Sequence, residues 1–318
     1  MIKKIKNLAL CGGGIYGYAE LGALNAIALY PEYFDIQRIS GTSVGSIIGT
    51  LYAVGYTPKD LRDTMFNMDM EYLVKGEKSM LNEKIYSWHS LFFRLGMYHA
   101  TELENTLNRL IKEKTGIDNC TFSQIGIELT IIATNLNYQR PEFFNKKTSP
   151  DLSIARAVRM SISYPSIISP ICYNGDLYGD GGQFMNYPII MYENELEETI
   201  GITFAAHNEN RDLTLKKRIP ITNLYEYALA CASTMNRAIY IHQITEKYLT
   251  RSIIIEIMDE ISSMQLNIAD YYKHYFYYNG LRSAKKQLEN MFGLPETTIE
   301  HEDSFILDEM EEPFKIIN

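Results

Sequence analysis

Residues 8–22 read LALCGGGIYGYAELG, a short apolar run broken by three consecutive glycines and followed by residues able to continue as a helix. The stretch fits two different anion sites. Spelled as Gly12-x-Gly14-x-x-Gly17 between a strand and a helix, it matches the dinucleotide fingerprint, with a pyrophosphate resting on the helix N-terminus. Spelled as Gly12-Gly13-Gly14, it is a loop of bare backbone N–H groups that can face any developing anion, including the oxyanion of an ester being cleaved. The next strand discriminates between them. A ribose-binding acid should end that strand about 20 residues on, but here Asp35 lies at its beginning and the chain runs instead into Gly41-Thr42-Ser43-Val44-Gly45.

That pentapeptide is a G-x-S-x-G between an expected strand and an expected helix, the setting a nucleophile elbow requires. Glycines on either side leave room for a serine in a sharp, strained turn. Its hydroxyl would then sit at the N-terminus of the small, apolar helix VGSIIGTLYAVG, where free N–H groups favour negative charge. A serine nucleophile needs a base. The order Ser, acid, His of an α/β-hydrolase fits poorly, because Ser43 comes after a single βα unit and His207, His242, His274 and His301 lie in no recognisable motif. Asp180, in the glycine-rich turn Tyr178-Gly179-Asp180-Gly181-Gly182, is the better candidate: a partly desolvated carboxylate within hydrogen-bond reach can take a serine proton directly. The same turn could equally be structural.

Outward from these motifs, strands alternate with helices, which argues for a largely parallel α/β sheet. Ala19–Leu29 reads as a helix, Thr57-Pro58 opens another, and Thr101 with Glu104 spells a capping box for TELENTLNRLIKEKTG. IELTIIATNL, ETIGITFAA and RSIIIEIM read as strands, DLSIARAVRM as a helix, and Asn174-Gly175 as a hairpin turn. From Ser262 onward one or two tyrosine-rich helices are expected, then an acidic tail. Nothing divides the 318 residues, so the expected organisation is one domain over 1–290, with core motifs in 5–190, a helical insertion near 57–118, and a tail over 291–318.

Composition narrows the partners. A net charge of −9 disfavours nucleic acid and gives no electrostatic pull toward anionic lipid. No window reaches the roughly 18–20 apolar residues of a membrane span, and Lys3, Lys4 and Lys6 before LALC make a poor export signal. A soluble chain, cytoplasmic or intracellular in a host, is expected. The four scattered cysteines, Cys11, Cys120, Cys172 and Cys231, suggest neither disulfides nor a metal, and read as buried thiols.

Three separated pieces in this order, Gly12-Gly13-Gly14, Gly41-Thr42-Ser43-Val44-Gly45 and Asp180-Gly181-Gly182, resemble the patatin-like phospholipase family. Ala155-Arg156-Ala157 through Ser161, Ser163, Pro165 and Pro170 is similar to the family's helix and proline loop, and Tyr278–Ala284 to its closing helix. The resemblance implies a three-layer α/β/α sandwich with a mostly parallel sheet, and hydrolysis of lipid acyl esters, phospholipids included. By position it makes Ser43 the nucleophile and Asp180 the base. Gly12, Gly13 and Gly14 with the Val44 N–H would form the oxyanion hole, and Gly17, Gly41, Gly45, Gly181 and Gly182 support the motifs. It requires no cofactor and no metal. One departure stands out: Tyr16 occupies the place where the family has Arg or Lys.

Two rival readings stay open at this level, a non-catalytic lipid-binding or effector module and a dinucleotide-binding oxidoreductase. Two aromatic clusters, Trp88 with Leu91, Phe92 and Phe93, and the run Tyr271–Tyr278, offer either core packing or a surface for peripheral membrane contact.

Overall fold

The computed structural model describes residues 3–76, 95–206, 220–257 and 261–294. In chain order the elements are β1 (Ile5–Leu10), α1 (Gly17–Ala28), β2 (Phe34–Thr42), α2 (Val44–Ala53), α3 (Pro58–Phe66), α4 (Met70–Lys75), β3 (Gly96–Tyr98) and α5 (Thr101–Thr115). They continue with β4 (Glu128–Asn135), β5 (Arg140–Asn145), α6 (Ile154–Ser161), β6 (Ser166–Ile168), β7 (Ile171–Tyr173) and β8 (Asp176–Asp180). After a run of 3-10 turns at Pro188–Glu198 come β9 (Thr199–Ala206), α7 (Leu224–Gln243), α8 (Glu246–Leu249), β10 (Ser252–Ile257) and α9 (Asp270–Phe292).

The main sheet runs β10-β9-β1-β2-β4-β8-β7, with β5 also paired to β4. Strands β10, β9, β1, β2 and β4 are parallel, while β5 and β8 run antiparallel to β4. Leu8, Ala9 and Leu10 are all fully buried although successive residues of a strand face opposite sides, so both faces of the sheet are covered. This is the sandwich that the resemblance implies, built on the largely parallel sheet that the alternating pattern predicts. Helix α1 crosses α9 so closely that a Cβ at Gly22 would collide with the Tyr277 carbonyl, and one at Gly280 with that of Ala19.

Several local expectations change. Helix α6 begins at Ile154, not Asp151, because Ser153 is held extended by a bridge to Thr121. Thr101 is the first residue inside α5, after Ala100 at φ +47°, so it cannot cap, and Glu104 bonds Arg156 at 3.0 Å instead. Thr57 and Asp60 do form a reciprocal capping box on α3. Asn174 and Gly175 both take positive φ and close the β7–β8 hairpin. Of the cysteines, Cys11 and Cys120 are buried, whereas Cys172 and Cys231 are exposed. In the tyrosine-rich run, Phe276, Tyr277 and Tyr278 pack in the core while Tyr271 and Tyr272 stay exposed. The Trp88 cluster and most of the tail lie outside the described residues.

Candidate active site

The sheet register explains how two residues far apart in sequence meet. Strand β4 holds β2 through Ile132, which pairs Thr42, and the very next residue, Ala133, pairs Asp180 of β8. Since β5 occupies the opposite edge of β4 over the same stretch, β2 and β8 abut end to end along one edge. Ser43 follows Thr42 directly, so it emerges against Asp180. Its Oγ donates a hydrogen bond to Asp180 Oδ2 at 2.8 Å.

The elbow is locally strained and externally held. Ser43 sits at φ 52°, ψ −124° between β2 and α2, a region that costs a non-glycine residue on the order of 1–3 kcal/mol. Gly41 and Gly45 make the turn sterically possible: a Cβ on Gly41 would strike the Gly45 carbonyl, and one on Gly45 would crowd the carbonyls of Leu10 and Cys11. The Ser43 N–H donates to Ser161 Oγ at 2.9 Å, and that hydroxyl donates onward to the Ile132 carbonyl at 2.5 Å. The serine that ends α6 therefore locks the elbow to β4.

Asp180 is only 3% exposed. Its Oδ1 accepts the Gly182 N–H at 2.7 Å, and its own N–H donates to the Ser163 carbonyl at 2.9 Å. Burial pushes its carboxyl up from 3.8 to about 6, against the pull of the Gly182 and Ser43 hydrogen bonds. At neutral pH it remains an ionised, poorly solvated acceptor.

In the glycine loop the Gly12 N–H is already given to the Asn186 carbonyl at 2.9 Å, and the Asn186 side chain donates back to the Gly12 carbonyl at 3.0 Å. This corrects the expectation that Gly12 donates into an oxyanion hole. Among the described residues the N–H groups of Gly13 and Gly14 have no acceptor, and Val44, at the first turn of α2, has none within its helix. The Ile15 N–H is bonded to the Ser263 carbonyl at 2.9 Å and so is not open to an anion.

Ser43 and Asp180 line a cavity open to solvent whose remaining wall is largely apolar, including Met65, Met70, Val74, Leu103, Met264 and Leu266. Among the described residues no histidine lines it; His207 and His301 lie outside them. No group of three His, Cys, Asp or Glu among the described residues could hold a metal ion.

A family model described as patatin-like phospholipase matches residues 8–191, more than half of the chain. The chain belongs to that family. Its relatives include the uncharacterized protein R571 of Acanthamoeba polyphaga mimivirus, 50% identical over 90% of this chain and 94% of that protein. A probable lipid hydrolase, 463L of Invertebrate iridescent virus 6, is 30% identical over 61% of this chain and 66% of its own. Among solved structures, VipD from Legionella pneumophila superposes with a TM-score of 0.59 at 16% identity, covering 91% of this chain and 67% of that one, a likeness of fold alone.

Within this patatin-like frame, two residues invisible to motif reading shape the site. Asn186 clamps the glycine loop, and Arg159, 1% exposed, donates to the His99 carbonyl, Ser163 Oγ and the Ser169 carbonyl at 2.7–2.9 Å. Burial lowers the Arg159 guanidinium to about 10. It fastens the proline loop whose Ser163 carbonyl receives the Asp180 N–H. No local spelling signals either role, since each depends on segments that only the fold brings together.

Proposed function

We propose that the chain is a lipid acyl hydrolase, of phospholipase A type, that uses Ser43 as nucleophile and Asp180 as general base. The observation that carries this is the 2.8 Å Ser43–Asp180 hydrogen bond at the head of an apolar cavity. Asp180 takes the hydroxyl proton as Ser43 Oγ attacks the ester carbonyl carbon, and the carbonyl oxygen becomes an oxyanion. The N–H groups of Gly13, Gly14 and Val44 are the available donors, each worth on the order of 3 kcal/mol in the transition state.

The tetrahedral intermediate collapses, the alkoxide leaves with the proton held by Asp180, and the acyl group stays on Ser43. Water then gives its proton to Asp180, attacks the acyl-enzyme and releases a fatty acid, returning the proton to Ser43. The apolar wall suits an acyl chain, and no helix among the described residues is long and apolar enough to cross a membrane.

The test is labelling by a fluorophosphonate probe alongside hydrolysis of fatty acyl esters and phosphatidylcholine. Labelling should vanish in Ser43→Ala, and turnover should fall below about 1% of wild type in Asp180→Asn. Ester hydrolysis undiminished in Ser43→Ala would end the mechanism.

A further inference from the structure

The segment Ile261–Leu266, between β10 and α9, touches both halves of the site. Its backbone grips the glycine loop: the Ser263 carbonyl accepts the Ile15 N–H at 2.9 Å, and the Ile261 carbonyl accepts the Tyr16 hydroxyl at 2.6 Å. Its side chains Met264 and Leu266 form part of the cavity wall beside Ser43. Gly14, at φ +55°, lies so close beneath it that a Cβ there would collide with the Ser263 carbonyl. On the other side a Cβ on Gly13 would run into the Phe204 ring. The two glycines with open N–H groups are thus pressed between Phe204 and the strap.

Tyr16 joins these parts. Its ring meets Phe204 edge-on at 5.7 Å between centroids and Phe276 of α9 at 5.5 Å, while its hydroxyl holds the strap. Where the resemblance leads one to expect a cation, this chain carries a neutral phenol bonded to its own backbone.

Resting on the acyl hydrolase reading, we propose that the Ile261–Leu266 strap couples acyl-chain occupancy of the cavity to the placement of the Gly13 and Gly14 donors. Tyr16 is the positioning residue that holds strap and loop in register. A long acyl chain packs against Met264 and Leu266 and keeps the strap seated on Gly14, so binding energy from the non-reacting tail orients the groups that meet the oxyanion. A short chain leaves that task to the Tyr16 hydroxyl and the Ile15 N–H. In a close-packed contact of this kind the strap has no room to shift without moving Gly14.

Tyr16→Phe keeps both ring contacts and removes the hydroxyl. With p-nitrophenyl butyrate its kcat should fall about tenfold, a fraction of the loss for deleting a whole oxyanion donor. With p-nitrophenyl decanoate the fall should be about threefold or less, and KM for either ester should change little. An unchanged kcat, or an equal loss on both esters, overturns the proposal, and an equal loss with a lower Tm assigns Tyr16 to stability alone. A second readout needs no turnover: decanoic acid should slow amide hydrogen exchange across residues 12–18 in the wild type, and the Met264→Ala Leu266→Ala variant should lose that slowing. Exchange unaffected by decanoic acid refutes the coupling. Missing serine labelling with exchange slowed counts against the hydrolase chemistry and not against the strap.

Discussion

Asp180 should make this protein more stable when it is disabled. The carboxyl is almost fully buried, and its pKa stands at about 6 instead of 3.8 because burial penalises the charge more than the Gly182 and Ser43 hydrogen bonds favour it. The folded state therefore holds this proton more tightly than the unfolded chain does. The stability it contributes is fully present below pH 3.8 and is lost as pH rises through about 6. At about 1.4 kcal/mol per pKa unit, keeping the ionised carboxylate costs the fold on the order of 3 kcal/mol at pH 7.5.

Asp180→Asn removes the charge while its Oδ1 can still accept the Gly182 N–H, so Tm at pH 7.5 should rise by about 5 °C. Near pH 4.5, where the wild-type carboxyl is mostly protonated, that gain should shrink to about 2 °C. Activity should show the same titration from the other side. About 90% of Asp180 is ionised at pH 7 and about 10% at pH 5, so kcat/KM should drop roughly tenfold between them. Scanning calorimetry at the two pH values and a pH–rate profile on a soluble ester measure both halves. A variant less stable than wild type at pH 7.5, or kcat/KM flat from pH 5 to 7, would refute the reasoning.

Other perturbations separate the supporting residues. Ser161→Ala leaves the Ser43 N–H without its acceptor and should cut kcat by about 10- to 100-fold, corresponding to 1–3 kcal/mol, with the rate of fluorophosphonate labelling as the measure. Asn186→Ala removes the side-chain donor to the Gly12 carbonyl while its backbone carbonyl still accepts the Gly12 N–H; labelling should slow about tenfold while ester KM stays nearly constant. Arg159→Met keeps apolar bulk but takes the guanidinium donors away from the His99 and Ser169 carbonyls, so urea unfolding should show a loss of about 2–4 kcal/mol.

Motifs whose physics is local were legible in the sequence. Ser43 could be placed because a strained elbow needs glycine on both sides within five residues, and the βα units announced themselves by buried apolar runs between helix signals. Asp180 was only half legible. Its Gly-rich turn is also an ordinary structural turn, and what distinguishes it is the register of β4, which no local pattern encodes. The roles of Asn186 and Arg159, and the contact of Ser161 with Ser43, were out of reach for the same reason: Ser161 meets Ser43 across 118 residues and Asn186 meets Gly12 across 174.

The glycine loop shows why spelling and donor geometry part company. Three consecutive glycines offer three N–H groups, but a loop with every donor open would have nothing to fix its direction. Here the first glycine is given to Asn186, the next two point free, and Ile15 and Tyr16 return to the strap and to Gly13. The outer bonds supply the rigidity that lets the inner pair face a developing charge without reorganising, which is the condition for an oxyanion hole to lower a barrier. Tyr16 belongs to those outer bonds. Under the proposed coupling, a phenol bonded to the Ile261 carbonyl reports on the strap, and through Met264 and Leu266 on the acyl chain, where the cation that the resemblance leads one to expect would report on a phosphate.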